Sequence, residues 1–183
     1  VVDARNDYET DIGGFPGSII PGTKNFREFP AWADKELNDK ENKKIAMFCT
    51  GGIRCEKASA YFKYKGFENV YQLEGGIVEY TRQVKAQGLD NKFRGKNFVF
   101  DQRRAEQISD EVIAVCHQCG TACDTHVNCA NEACHLLFIQ CPTCAEAHNN
   151  CCSENCSNIV QLPEAQQKRL RKGTKNSNKI FIC

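Results

Sequence analysis

The chain has 183 residues, 24 basic and 23 acidic, for a formal net charge of +1, so its overall balance favours neither a polyanion nor a polycation as partner. The length suits one large domain or two small ones. Thirteen cysteines, with no secretory leader and no apolar run of membrane length, suggest a cytoplasmic chain without a membrane partner, whose thiols bind metal rather than form a disulfide framework.

Charge is unevenly placed. Residues 105–167 contain eight acids and no lysine or arginine, whereas 92–104 hold five basic residues against one acid, and 168–183 hold six against none. The chain opens on Val1-Val2-Asp3 without a methionine, and an amino-terminal portion is expected to precede it.

In chain order, residues 1–5 read as the end of a buried strand with polar residues at its mouth. The stretch 11–22 is dense in glycine and proline and reads as loop. Phe26, Phe29, Trp32, Ala33 and Leu37 predict a helix near 26–37, its start delayed by Pro30. A charged turn follows over 38–44. The apolar run Ile45-Ala46-Met47-Phe48 is the predicted central strand, and it delivers Cys49 to its carboxyl end. After Gly51 and Gly52 comes a helix over 54–65 closed by Gly66. A strand over 70–73, then Gly75-Gly76, then a helix over 77–87 stopped by Gly88 continue the alternation. Strands alternating with helices predict an α/β fold with a parallel sheet flanked by helices, whose ligands gather at strand carboxyl ends.

Cys49 falls there. Strand, tight loop and helix start together form an anion cradle, because the amides of Thr50, Gly51, Gly52 and Ile53 have no other partner and the helix dipole favours negative charge. A thiol at its rim is biased toward thiolate. Arg54 lends positive charge or braces the loop. Cys55, at the far end of the loop, is either a second thiol for disulfide or persulfide exchange or a small residue filling the helix start. Four residues separate Cys49 from Arg54, a loop sized for one sulfur atom and one residue shorter than the phosphate-wrapping loop of cysteine phosphatases, which argues against phosphatase activity. No flavin or nicotinamide fingerprint and no two-histidine–carboxylate iron site is visible.

Phe98-Val99-Phe100 is a predicted strand in a basic connecting segment, 91–115. There Lys92, Arg94, Lys96, Arg103 and Arg104 interleave with aromatics and are candidate RNA contacts. Ten cysteines then crowd into 116–162: Cys116, Cys119, Cys123, Cys129, Cys134, Cys141, Cys144, Cys151, Cys152 and Cys156. The pairs Cys116-His117-Gln118-Cys119 and Cys141-Pro142-Thr143-Cys144 have zinc-knuckle spacing. Four ligands per ion leave room for two structural zinc ions and two spare thiols, with the pairing open and the four histidines as bystanders. The metals replace a core that so short and polar a segment cannot build. Four-thiolate sites add negative charge, so this module is not expected to face RNA itself. Leu136-Leu137-Phe138-Ile139 reads as a buried strand or docking seam, and 163–170 as a short helix. Lys168, Arg169, Arg171 and Lys172 open a basic tail over 163–183 suited to phosphate contacts.

Residues 1–88 resemble the rhodanese-like family. The matching pieces are Val2-Asp3-Ala4-Arg5 with Glu9, Phe15-Pro16-Gly17-Ser18-Ile19, the Cys49 loop, and Gly66-Phe67 through Val70-Tyr71 to Leu73-Glu74-Gly75-Gly76. The resemblance implies a rhodanese-like domain over 1–90, lacking the family's usual first strand and helix, with Cys49 as its persulfide-carrying position. Asp3, Arg5 and Glu9 are expected to form an ion-pair scaffold. Taken with Cys49 to Lys57, Gly95-Lys96-Asn97-Phe98-Val99-Phe100-Asp101 and Leu136 to Pro142, the whole chain resembles the rhodanese-type tRNA uridine hydroxylases. That resemblance implies oxygen-dependent 5-hydroxylation of the wobble uridine of tRNA, molecular oxygen as co-substrate, tRNA as partner, a missing amino-terminal domain, and Cys49, Cys55 and Arg54 at the site. Two other functions fit the same residues: a persulfide sulfurtransferase, and a zinc-stabilised RNA-binding module without catalysis.

Overall fold

A computed structural model of the chain describes residues 1–37 and 44–173. Most of the predicted turn over 38–44 and the end of the basic tail, 174–183, lie outside the described residues. The chain divides into two compact units, Val1–Glu111 and Val112–Cys183.

In the first unit a parallel sheet has the order β1 (Val2–Asp3), β3 (Lys44–Phe48), β4 (Asn69–Gln72), so the apolar run before Cys49 is indeed central. Its registers pair Val2 with Met47 and Ile45 with Val70. One layer packs α2 (Phe29–Glu36) and α3 (Ile53–Tyr64) on the sheet through Phe29, Ala33, Ala58 and Phe62 against Val2, Ile45 and Met47. A second cluster gathers Phe48, Ile77 and Phe93 with Phe15, Leu73 and Tyr80, drawing on α4 (Gly76–Gln87). Phe15 meets Phe48, Tyr80 and Phe93 edge-on at 4.9–5.2 Å, the arrangement favoured by ring quadrupoles.

Helix boundaries follow local chemistry. A single 3-10 turn over Phe26–Glu28 is capped by the Asn25 side chain, which accepts from the Arg27 amide, and α2 begins after it with Pro30 in its first turn. Gly88 closes α4 at φ +63° and Gly66 follows α3 at φ +92°, both left-handed positions that glycine tolerates.

Two expectations need correction. The glycine-rich stretch over 11–22 contains a strand, β2 (Gly13–Gly14), paired antiparallel with β5 (Arg94–Phe98). A Cβ on Gly13 would fall 2.1 Å from the Lys96 carbonyl oxygen, and one on Gly95 2.2 Å from that of Ile12, so the close approach requires the residues that read as loop. The strand expected at 98–100 instead ends at Phe98, and β5 also pairs with β6 (Ala105–Gln107). Two strands of the first unit, β5 and β6, thus lie within the expected connecting segment 91–115.

The second unit contains an antiparallel pair, β7 (His126–Asn128) and β8 (Leu137–Ile139), and three short helices, α5 (Pro142–Ala147), α6 (Glu154–Val160) and α7 (Glu164–Arg171). One of its buried clusters combines Phe138 with Cys129, Cys151 and Cys156, so thiols do much of the packing. No helix among the described residues is long and apolar enough to cross a membrane.

Candidate active site and metal clusters

Cys49 leaves β3 at the sheet's carboxyl edge and is buried between two strand–Gly-Gly–helix turns. The first is its own: Gly52, at φ +90°, precedes α3, and its amide donates to Cys49 Sγ at 3.1 Å. The second comes from Gly75-Gly76. The amides of Ile77 and Val78 at the start of α4 donate to the carbonyls of Cys49 and Thr50 at 3.0 and 3.1 Å. Gly76 sits at φ +64°, and a Cβ there would lie 2.5 Å from the Cys49 carbonyl oxygen. Gly76 is thus part of the cradle, a role that the sequence hinted at only by repeating the glycine pair.

The loop is braced from beneath by one carboxylate. Glu9 is fully buried in α1 (Asp7–Thr10), which is capped at its start by Asn6. It accepts from both Arg54 guanidinium nitrogens, from Thr50 Oγ1 at 3.0 Å and from the Asn6 amide at 3.1 Å. Arg54 therefore braces the loop while holding positive charge beside it. The expected scaffold divides in two, because Arg5 pairs instead with Asp3 at 2.7 Å and donates to the Gly13 carbonyl at 2.6 Å, its charge fully buried. Each buried ion has several partners, as burial of charge demands.

This environment makes Cys49 acidic. The Cys55 thiol donating to its sulfur is the largest influence, and burial opposes it. The Cys55 amide, the Arg54 charge and the Arg54 amide add to the lowering, and the Cys49 pKa falls to about 5. Cys55 moves the opposite way: its proton is held by that hydrogen bond to Cys49 and by burial, so it stays a thiol. Of the two, Cys49 is the thiolate and Cys55 its donor. Ile53 is exposed at the loop's edge, whereas Gly52 is buried and Thr50 half-buried.

The basic residues lie in both units. Lys92 and Arg94 are exposed, 3.8 Å from Asp90 and 3.6 Å from Glu111 respectively. Arg103 pairs with Asp101 at 2.8 Å, and Lys96 and Arg104 are half-buried. In the second unit Lys168 and Arg169 lie exposed on α7 and Lys172 at its end; Lys168 pairs with Glu164 at 2.6 Å, and Arg171 pairs with Glu132. The basic run therefore starts as helix rather than tail.

Eight of the ten candidate ligand cysteines converge in two groups, Cys116/Cys119/Cys141/Cys144 and Cys129/Cys134/Cys152/Cys156, each with its sulfurs within 4.8 Å of one another. Both groups can hold a metal ion. Cys123 and Cys151 fall outside them, which corrects their inclusion as ligands. The four histidines are also outside. A tetrahedral ion at about 2.3 Å from four sulfurs sets them about 3.8 Å apart. Observed separations are 3.7 Å for Cys119–Cys141, 3.7 Å for Cys134–Cys152 and 3.9 Å for Cys152–Cys156. Amides of Cys141 and Cys152 donate to Cys116 and Cys129 at 3.3 and 3.4 Å, as expected of donors around thiolates. All twelve described cysteines are free of disulfides.

Comparison with known proteins finds matches over nearly the whole chain. The family model for the rhodanese-like domain matches residues 1–83, and the one described as Rhodanase C-terminal matches 94–157. A protein of Leptospira interrogans named tRNA uridine(34) hydroxylase is 54% identical over 181 residues, 99% of this chain and 49% of that protein. Proteins of the same name from Pectobacterium atrosepticum and Yersinia pestis are 56% identical over 180 and 181 residues, each covering 98% of this chain and 51% of the relative. The chain spans about half the length of the curated relatives it matches.

Proposed function

We propose, from the rhodanese-like match over residues 1–83 and the Rhodanase C-terminal match over 94–157, that this chain is part of a tRNA-modifying oxidoreductase that hydroxylates carbon 5 of the wobble uridine. The observation that carries the proposal is Cys49, buried at the end of β3 with the Gly52 amide donating to its Sγ at 3.1 Å and the Arg54 charge beside it, surroundings that lower its pKa. The relatives' name supplies the substrate class.

The chemistry follows from that sulfur. Cys49 Sγ adds to carbon 6 of uracil, and the π electrons of the C5–C6 bond shift toward carbon 5 and the 4-carbonyl. Carbon 5 becomes nucleophilic and forms its bond to oxygen. Loss of the C5 proton and cleavage of the S–C6 bond restore the ring, and the proton on Cys55 stabilises the departing thiolate. Transfer of one atom of molecular oxygen consumes two electrons and two protons from an external reductant, the other atom leaving as water. Arg54, fixed by Glu9, keeps positive charge beside the site. Exposed Lys92, Arg94, Arg103, Lys168, Arg169 and Lys172, together with Lys96, Arg104 and Arg171, supply phosphate contacts in this reading.

The two cysteine groups suit zinc, a d10 ion that accepts four thiolates without geometric penalty, and its contribution is structural cross-linking. A tRNA substrate supports a cytoplasmic location in this reading.

The test uses cells lacking the full-length gene, complemented with wild type or Cys49→Ser, and mass spectrometry of tRNA nucleosides. Wild type restores 5-hydroxyuridine-type nucleosides and Cys49→Ser does not. Hydroxylation intact in Cys49→Ser contradicts the role of Cys49. Loss of a thiolated nucleoside in place of an oxygenated one assigns the protein to persulfide transfer. No change in either, with tRNA binding intact, leaves a non-catalytic RNA-binding module.

A further inference from the structure

Phe100 is exposed over 68% of its surface, although it follows directly on buried Phe98 and Val99. It is not loosely held. Its ring packs edge-on against Phe98 at 5.3 Å, and Phe98 packs in the same way on Tyr8 at 5.0 Å. The Arg54 guanidinium lies over the Phe100 ring at 5.8 Å from its centroid. Arg54 is in turn the residue whose charge helps to lower the Cys49 pKa and whose side chain is clamped by Glu9. One side chain therefore links a fixed, solvent-facing aromatic ring to the reactive sulfur. Ile53, the residue before Arg54, is also exposed, at 72%.

Beyond the proposed reaction, and resting on it, we propose that Phe100 is a nucleobase-stacking subsite, which seats the pyrimidine ring of the target uridine while Arg54 flanks it. An anion-only site has no use for an apolar ring at its entrance, because a small sulfur oxyanion is solvated by amides and guanidinium alone. A protein partner or a lipid surface would call for a broad apolar patch without a cation fixed over the ring. A flat, weakly polar ring attached to a phosphodiester fits both features, since every base has a π face and the adjoining backbone carries negative charge.

The experiment uses the full-length protein under anaerobic conditions, so that no hydroxylation occurs. Its ligands are two anticodon stem-loops, one with uridine and one with an abasic ribose at the wobble position. Wild type is expected to bind the uridine form about tenfold or more tighter, the contribution of one stacked base. Phe100→Ala removes that difference and leaves affinity for the abasic form unchanged, whereas Phe100→Tyr retains it. Thermal melting of each variant verifies folding. Persistence of the uridine preference in Phe100→Ala overturns the subsite while leaving the hydroxylase reading intact. Equal binding of both stem-loops by wild type does the same, and failure of wild type to bind either removes both.

Discussion

Cys49 and Cys55 face each other across one loop, and their surroundings push their pKa values apart, the first down and the second up. A Cys49 pKa of about 5 means that the thiolate predominates throughout the neutral range and is lost only as pH falls through about 5. Cys55→Ala removes the largest cause of that lowering. The acid limb of Cys49 alkylation by iodoacetamide, followed by peptide mass spectrometry, is therefore expected to move to higher pH, while Cys55→Ser restores part of the shift through its hydroxyl. An unmoved limb in Cys55→Ala would mean that the amides and Arg54 suffice. The bare sequence left Cys55 open between filler and second thiol, because a hydrogen bond between sulfurs six positions apart has no signature in spacing.

Among the elements, the two strand–Gly-Gly–helix turns set the shape of the cradle. Gly76→Ala forces a side chain into a left-handed position and against the Cys49 carbonyl, and is expected to cost more than the ~1–2 kcal/mol of the conformation alone. Gly88→Ala is the control, because its left-handed site at φ +63° opens onto empty space and only that conformational cost applies. Urea midpoints of the two variants give the comparison, and equal midpoints would show that the α4 turn yields easily. The β/α alternation and the place of Cys49 at the end of the central strand were legible because apolar runs, glycine stops and the helix of 53–64 obey local rules. The β2–β5 pairing was not. Glycine carries no strand propensity, and only the backbone approach between Gly13 and Gly95 explains its presence. Phe100 was hidden for a similar reason: an expected strand over 98–100 buries or exposes residues by alternation, whereas the strand stops at Phe98 and turns the aromatic outward.

For the whole molecule, the two units rely on different sources of order. The first has a conventional apolar core around Phe29, Met47 and Phe62, whereas the second places four cysteines in each of two groups and packs Phe138 among them. Zinc analysis of the intact protein is expected to give about two equivalents, falling to about one in Cys116→Ser or Cys129→Ser and staying at about two in Cys123→Ser. Iron in place of zinc, or a loss on Cys123→Ser, would revise the ligand groups. The zinc-knuckle spacing announced the metal groups, but the partition of ten cysteines into two fours and two spares depends on chain path and emerges only in three dimensions.

In the proposed reaction the cradled Cys49 thiolate attacks the uridine of a tRNA. It is tested most directly by incubating the full-length protein with tRNA carrying 5-fluorouridine at the wobble position, because fluorine at carbon 5 blocks loss of a proton there and strands the sulfur on carbon 6. A covalent protein–RNA adduct is expected, which peptide mapping places on Cys49 and which Cys49→Ser abolishes. An adduct on another residue, or none under conditions where the tRNA is bound, would contradict it.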